Sequence, residues 1–116
     1  FNIVAEAGAV IVSGSQSHVP HYAEFYGSTF LHYGLGNLFF DQYGIAENTD
    51  IGFFDRHIFY NGRYLGVELI PIQFIDKVQP RLMTTDEKAE TLTIMFDTMR
   101  MWWKDENNHP VMPDWE

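Results

Sequence analysis

Within six residues the chain sets Gln16, His18 and His21, and a tight Gly34-Leu35-Gly36-Asn37 turn follows. Imidazole nitrogen and amide oxygen both coordinate divalent cations, and imidazole also moves protons near neutral pH. Gln16 stands two residues before His18 and His21 three after it, so one loop can aim all three at a single point. The bland alternative is a histidine satisfied at the surface or in the core, where most histidines reside. Asn37 can line the same pocket or cap its own turn. His32, inside an apolar run between Leu31 and Tyr33, reads as a satisfied core or edge residue, and His109 near the C-terminus as a solvated one.

These residues need a scaffold that fixes the loop root and leaves the tip free, as the C-terminal end of a strand does in an α/β sheet. The continuous apolar run Ala9–Ser13 supplies that strand and is bounded on both sides by glycine. Before it, FNIVAEAG reads as the last turns of a helix with Gly8 at its C-terminal cap. Thr29–Tyr33 is a second strand, entered through a Gly27-Ser28 turn and left through Gly34.

Ile51–Tyr60 and Arg63–Ile70 flank Asn61-Gly62, which predicts a hairpin on a type I′ turn because both central residues need positive φ. Counting back from a two-residue turn pairs Ile58 with Leu65, Arg56 with Val67 and Phe54 with Leu69, and sets Asp55 opposite Glu68. A like-charged pair is unfavourable. It calls for a protonated His57 beside it, a bulge that shifts the register, or a solvated position. Pro71 and Pro80 bracket an extended exit and argue against a central strand at those two positions.

A helix over 85–103 follows, with Thr84 and Glu87 at capping-box spacing. Ala89, Leu92, Met95, Phe96, Met99, Trp102 and Trp103 recur at helical spacing and predict an aromatic stripe packed on a sheet. The remainder, 105–116, is a polar, proline-broken tail.

Composition narrows the function. Seven basic against sixteen acidic residues leave a net charge of -9, which gives no footprint for a nucleic acid or an anionic membrane surface. Cysteine is absent, so disulfides and thiolate sites are excluded. No stretch approaches the roughly 20 apolar residues of a membrane span, so a membrane anchor is expected outside this sequence. Ten Phe, six Tyr and three Trp allow a substantial core in one small domain.

The run VIVSGSQSHVPHYAEFYGSTFLHYGLGNLFFDQ resembles the C-terminal signature of the CapA family, the poly-γ-glutamate capsule synthesis proteins. That signature joins a Gly-x-His-x-His-Val loop to a later Tyr-x-Leu-Gly-Asn-x-x-Phe-Asp segment. The stretch RHIFYNGRYLGVELIPIQFIDKVQPRLMT is similar to the family's closing hairpin and Pro-Arg exit, which extends the resemblance from about Phe1 to Glu90.

The resemblance implies the C-terminal portion of a calcineurin-like metallophosphoesterase domain over 1–104, an α/β/β/α fold of four layers with a two-metal site at the strand ends. It implies a metal-dependent hydrolase of the bacterial cell envelope, extracytoplasmic and membrane-anchored in the complete protein, acting in capsule biosynthesis. His18 matches the second histidine of the loop. Gln16 occupies the place of the first, and an amide oxygen binds more weakly than imidazole there. His18 and Gln16 are thus the implied ligands of divalent metal ions (Mn, Fe, Zn or Mg), with His21 and Asn37 implied on the substrate side. The other elements of such a site are expected upstream, so the chain reads as a piece of a longer protein and is expected to be inactive alone. Its partner is then the N-terminal half of the same domain, or a second copy pairing at an open sheet edge. Asp55-Arg56-His57 matches the family's Asp-x-His by letters but precedes a hairpin turn, and is read as a chance match. The alternative function is a non-catalytic capsule-synthesis or envelope-binding component whose metal site has degenerated.

Overall fold

The computed structural model describes residues 1–39, 49–76 and 79–102, with the backbone alone for 98–102. The architecture is mixed α/β, with two small sheets and a C-terminal helix. In chain order the elements are α1 (Asn2–Glu6), β1 (Ile11–Ser13), β2 (Ala23–Tyr26), β3 (Thr29–His32), β4 (Ile51–Tyr60), β5 (Arg63–Ile75), β6 (Gln79–Leu82) and α2 (Thr85–Trp102). The tail 105–116, with His109, lies outside the described residues, as do Trp103 and the end of the Leu-Gly-Asn segment from Phe40.

The first sheet runs β1-β3-β2. β1 and β3 are parallel, in register from Ile11 opposite Phe30 to Ser13 opposite His32. β2 pairs antiparallel with β3 across the Gly27-Ser28 turn. β2 is not legible from the sequence, because AEFY is too short and too mixed to show a period of two. All four residues of β3 are buried, as befits a middle strand.

The second sheet, β4-β5-β6, is antiparallel throughout. Asn61 and Gly62 have φ of 49° and 72°, the positive values that the type I′ turn requires. The register shifts between Ile58 and Phe59: Phe59 pairs with Tyr64, but Ile58 pairs with Gly66, which leaves Leu65 as the bulged residue. The bulge corrects the counted register by one. Arg56 now faces Glu68 and forms an ion pair with it, Asp55 faces Leu69, and the like-charged pair disappears. Of the three ways out of that pair, the chain uses the bulge.

Pro71 is a second correction, because it lies within β5, the middle strand. Phe53, its partner in β4, gives its N–H to the Leu35 carbonyl at 2.7 Å on the opposite edge. A residue's N–H and C=O point to the same side of a strand, so Phe53 and Pro71 form a non-hydrogen-bonded pair that asks no donor of proline. The β6 ladder begins one residue later, at Ile72. Pro80, as expected, sits on an edge strand.

The two sheets are joined at the Leu-Gly-Asn turn. Besides the Phe53–Leu35 bond, Gly36 pairs with Gly52 and Pro20 with Leu35 in isolated bridges. Both glycines are required by contact: a Cβ on Gly52 would run into the Asn37 carbonyl oxygen, and Gly36 has φ 72° against the Ile51 carbonyl. The core behind this junction centres on Ala23, Phe30, Phe53 and Met95, with Ile11, Leu35, Val67, Leu69 and Leu92 packed against it.

Helix α2 starts as expected, since Thr84 N–H donates to Glu87 at 2.8 Å and Glu87 N–H returns to Thr84 Oγ1 at 3.3 Å. Its inward stripe is narrower than predicted. Leu92 and Met95 reach the core, while Ala89 and Phe96 are exposed, because at about 100° per residue they fall on the neighbouring side of the helix. The Met99 and Trp102 side chains lie outside the described residues.

Candidate functional site at the end of the first strand

β1 delivers the chain into the loop Gly14–Tyr22, and the backbone there is held in unusual conformations. Gln16 has φ 79° and His18 φ 58°, in the left-handed region that costs an ordinary residue about 1–2 kcal/mol. Such conformations persist only where the surroundings impose them, and they cluster at functional sites. The restraints are visible: Ser17 Oγ donates to the Val19 carbonyl at 2.7 Å, Pro20 bridges to Leu35, and His21 N–H donates to the Gly34 carbonyl at 2.8 Å. The loop is pinned on both sides of His18.

The His18 ring meets Asn37, with Nδ1 3.1 Å from Asn37 Oδ1. The other end of the Asn37 amide, Nδ2, donates to the Thr49 carbonyl at 2.9 Å, and Asn37 is buried. A carbonyl only accepts, so the Thr49 bond fixes which end of the amide faces His18. Asn37 Oδ1 then accepts from a protonated His18 Nδ1. This tautomer puts the ring's lone pair on Nε2. An imidazole oriented through one nitrogen by an oxygen acceptor, with its lone pair on the other, is the arrangement of a histidine metal ligand.

The structure therefore brings together His18 and Asn37. Asn37 is better described as the residue that orients His18, and it also contributes to a cavity wall. Gln16 is exposed, and no hydrogen bond ties its side chain to another described residue. His21 is exposed as well, and its fixed contributions are backbone ones, to Gly34 and to His32. Among the described residues no three His, Asp or Glu side chains converge as a metal cluster. His18 fits a cation by tautomer and orientation, through the lone pair on Nε2.

A second polar pair, missed in the sequence, lies behind the loop. His32 is fully buried and makes two bonds, Nε2 to the His21 carbonyl at 3.1 Å and Nδ1 to Asp55 Oδ2 at 2.7 Å. It is the satisfied core histidine that its setting suggested, with a partner that the sequence did not reveal. Because the His21 carbonyl must accept, Nε2 carries a proton, and the short contact to Asp55 holds a second between ring and carboxylate. His57, two residues on, bonds Tyr64 Oη at 3.1 Å. Asp55 and His57 thus point inward from β4 to separate partners. The signal that could have found the pair is the alternation of β4: Phe53, Asp55 and His57 share the inner face, and a charge there demands a partner.

Residues 2–42 match the family model of the bacterial capsule synthesis protein PGA_cap. The likeness to the C-terminal part of the CapA capsule-synthesis family therefore holds across α1, the first sheet, the His18 loop and the Leu-Gly-Asn turn. No curated protein and no solved structure matches the chain. The PGA_cap match covers a little over a third of the sequence and includes Gln16, His18, His21 and Asn37. The capsule-synthesis family points to the cell envelope. No helix among the described residues is long and apolar enough to cross a membrane.

Proposed function

We propose that this chain is part of a CapA-like capsule-synthesis protein in which His18, through Nε2, is a ligand of a divalent metal ion in a phosphoesterase-type hydrolytic site. One observation carries the reading: Thr49 fixes the Asn37 amide, and the amide fixes the His18 tautomer. The positive φ at Gln16 and His18 supports it, since strained backbone is retained where it positions a working group. Divalent ions bound at such a site activate water and offset charge on phosphoryl oxygens. This chain's part is to orient His18, to offer the Gln16 amide oxygen as a weaker donor, and to place His21 on the substrate side. The remaining ligands come from the other half of the domain, and the complete protein works outside the cytoplasmic membrane.

A second reading is favoured by one feature. Gln16 is neutral, exposed and unanchored, so its side of the site binds a cation weakly, as in a capsule-synthesis component that keeps the fold to bind and no longer to cleave. Metal analysis of the complete protein, beside His18→Ala and with a generic phosphodiester as substrate, tests the first reading. Loss of metal and of hydrolysis in the variant is the expected result. Full metal content and activity in His18→Ala would remove His18 from the site, whereas metal bound through His18 without any hydrolysis would favour the binding protein.

A further inference from the structure

His21 ends the loop with both of its backbone polar groups engaged. Its N–H donates to the Gly34 carbonyl at 2.8 Å, and its carbonyl accepts from His32 Nε2 at 3.1 Å. The side chain is exposed, yet one side of it lies against a glycine: a Cβ on Gly34 would stand 3.1 Å from His21 Cγ and 3.2 Å from its Cβ. Gly34 has no left-handed φ, so the closeness of His21 and Ser17 calls for glycine here, and not the backbone conformation. The donor to the His21 carbonyl is itself held from elsewhere. His32 is fully buried in the first sheet, and its Nδ1 meets Asp55 Oδ2 of β4, in the second sheet, at 2.7 Å.

We propose that Asp55 and His32 are positioning residues for His21: the second sheet, acting through Asp55 and the His32 ring, sets where the His21 backbone lies, and Gly34 sets which way its imidazole faces. An imidazole reaches a carbonyl only through a protonated nitrogen, and its ring stays aimed only when the other nitrogen is held as well. Asp55 holds it. The carboxylate, on a side chain 5% exposed, takes Nδ1 and leaves Nε2–H directed at the His21 carbonyl. A charge-assisted bond of this kind is shorter and stronger than one between neutral groups. Packing alone does not ask for such a pair, because apolar side chains of similar volume fill a core at no greater cost than a buried imidazole and carboxylate. The hairpin thus enters the site, since the residue that fixes the end of the loop stands on β4. The part His21 takes on the substrate side rests on the hydrolytic reading, whereas its placement needs neither metal nor substrate.

NMR of the full 116-residue chain reads that placement directly. The expected signature is a single His21 χ1 rotamer in the three-bond couplings, with cross-relaxation between the His21 side chain and the Gly34 Hα protons. The double variant His32→Phe with Asp55→Leu keeps the core filled and removes the donor to the His21 carbonyl. It is expected to average the His21 χ1 couplings and to weaken those cross-peaks at least twofold, while the amide pattern of β2 and β3 is retained. Asp55→Asn is the conservative control: its amide donates to a bare His32 Nδ1, the one ring proton stays on Nε2, and His21 is expected to keep its rotamer. Should the double variant fail to fold, Gly34→Ala approaches from the other side, where the added Cβ is expected to shift the His21 χ1 populations and leave both His32 ring protons in place. A folded double variant in which His21 keeps its rotamer and its Gly34 contacts would reduce His32 and Asp55 to core filling and overturn the proposal. So would a His21 that averages over rotamers in the parent chain, one released by Asp55→Asn, or one unmoved by Gly34→Ala. No arm uses a metal ion or a phosphodiester, so such a failure is distinct from a failure of the hydrolytic reading.

Discussion

The loop between β1 and β2 and the hairpin of β4 and β5 solve opposite problems with the same kind of residue. In the loop, Gln16 and His18 take positive φ without being glycine, and both side chains are exposed. In the hairpin, positive φ falls on Asn61 and Gly62, the residues best suited to it, and the strands run a long regular ladder with one bulge. One region departs from local preference and the other follows it. Departures of this kind mark the places where positioning outweighs stability, and the PGA_cap match falls on the region that departs.

The comparison breaks most visibly if the two regions respond alike to truncation. Phe53→Ala removes the side chain that ties the hairpin to the first sheet, and should destabilise the chain by about 3–5 kcal/mol in urea unfolding. His18→Ala should change stability by no more than about 0.5 kcal/mol, as for an exposed position. A cost for His18→Ala approaching that of Phe53→Ala would make the histidine a structural residue.

Gly52→Ala probes the seam between the regions. The added Cβ meets the Asn37 carbonyl oxygen, so we expect a loss of about 2 kcal/mol. It should also broaden the His18 ring signals, because Asn37 is displaced. Gln16→Gly should move stability the other way, raising it by about 0.5 kcal/mol, as relief of left-handed strain exceeds the added entropy of the unfolded chain. A fall in stability would mean that the Gln16 backbone is not strained.

The smallest effect is expected at α2, where the Arg81 guanidinium, aided by the Thr84 N–H, holds the Glu87 carboxyl down to about 2 from its ordinary 4.5. A depressed acid contributes stability that is complete above its unfolded value and is lost as pH falls through its folded one. The Glu87 contribution should therefore fade as pH drops from about 4.5 to about 2, and Glu87→Gln should flatten that part of the urea midpoint against pH. Since the pair lies at the surface, the difference should shrink in high salt.

Legibility in the sequence followed the range of the interactions. The Asn61-Gly62 turn and the Thr84/Glu87 cap are decided within four residues, and both formed where expected. The bulge at Leu65 was not decided locally. It follows from which face of β4 is inward, and that depends on His32 taking Asp55, a partner twenty-three positions away. Pro71 looked incompatible with a middle strand because the non-hydrogen-bonded pairing with Phe53 is a property of register. In the site, His18 and Asn37 could be grouped from their motifs, since both lie in the run that resembles the capsule-synthesis family. The tautomer could not, because it depends on the Thr49 carbonyl. Asp55 escaped for the same reason as the bulge.

Nitrogen-15 NMR of the His18 ring tests the account most directly, since it reads the protonation of each ring nitrogen in the chain itself. The expected spectrum has the proton on Nδ1, none on Nε2, and loss of that preference in Asn37→Ala. A proton on Nε2, or a ring whose tautomer ignores Asn37, would contradict the claim that His18 is set up to bind a metal ion.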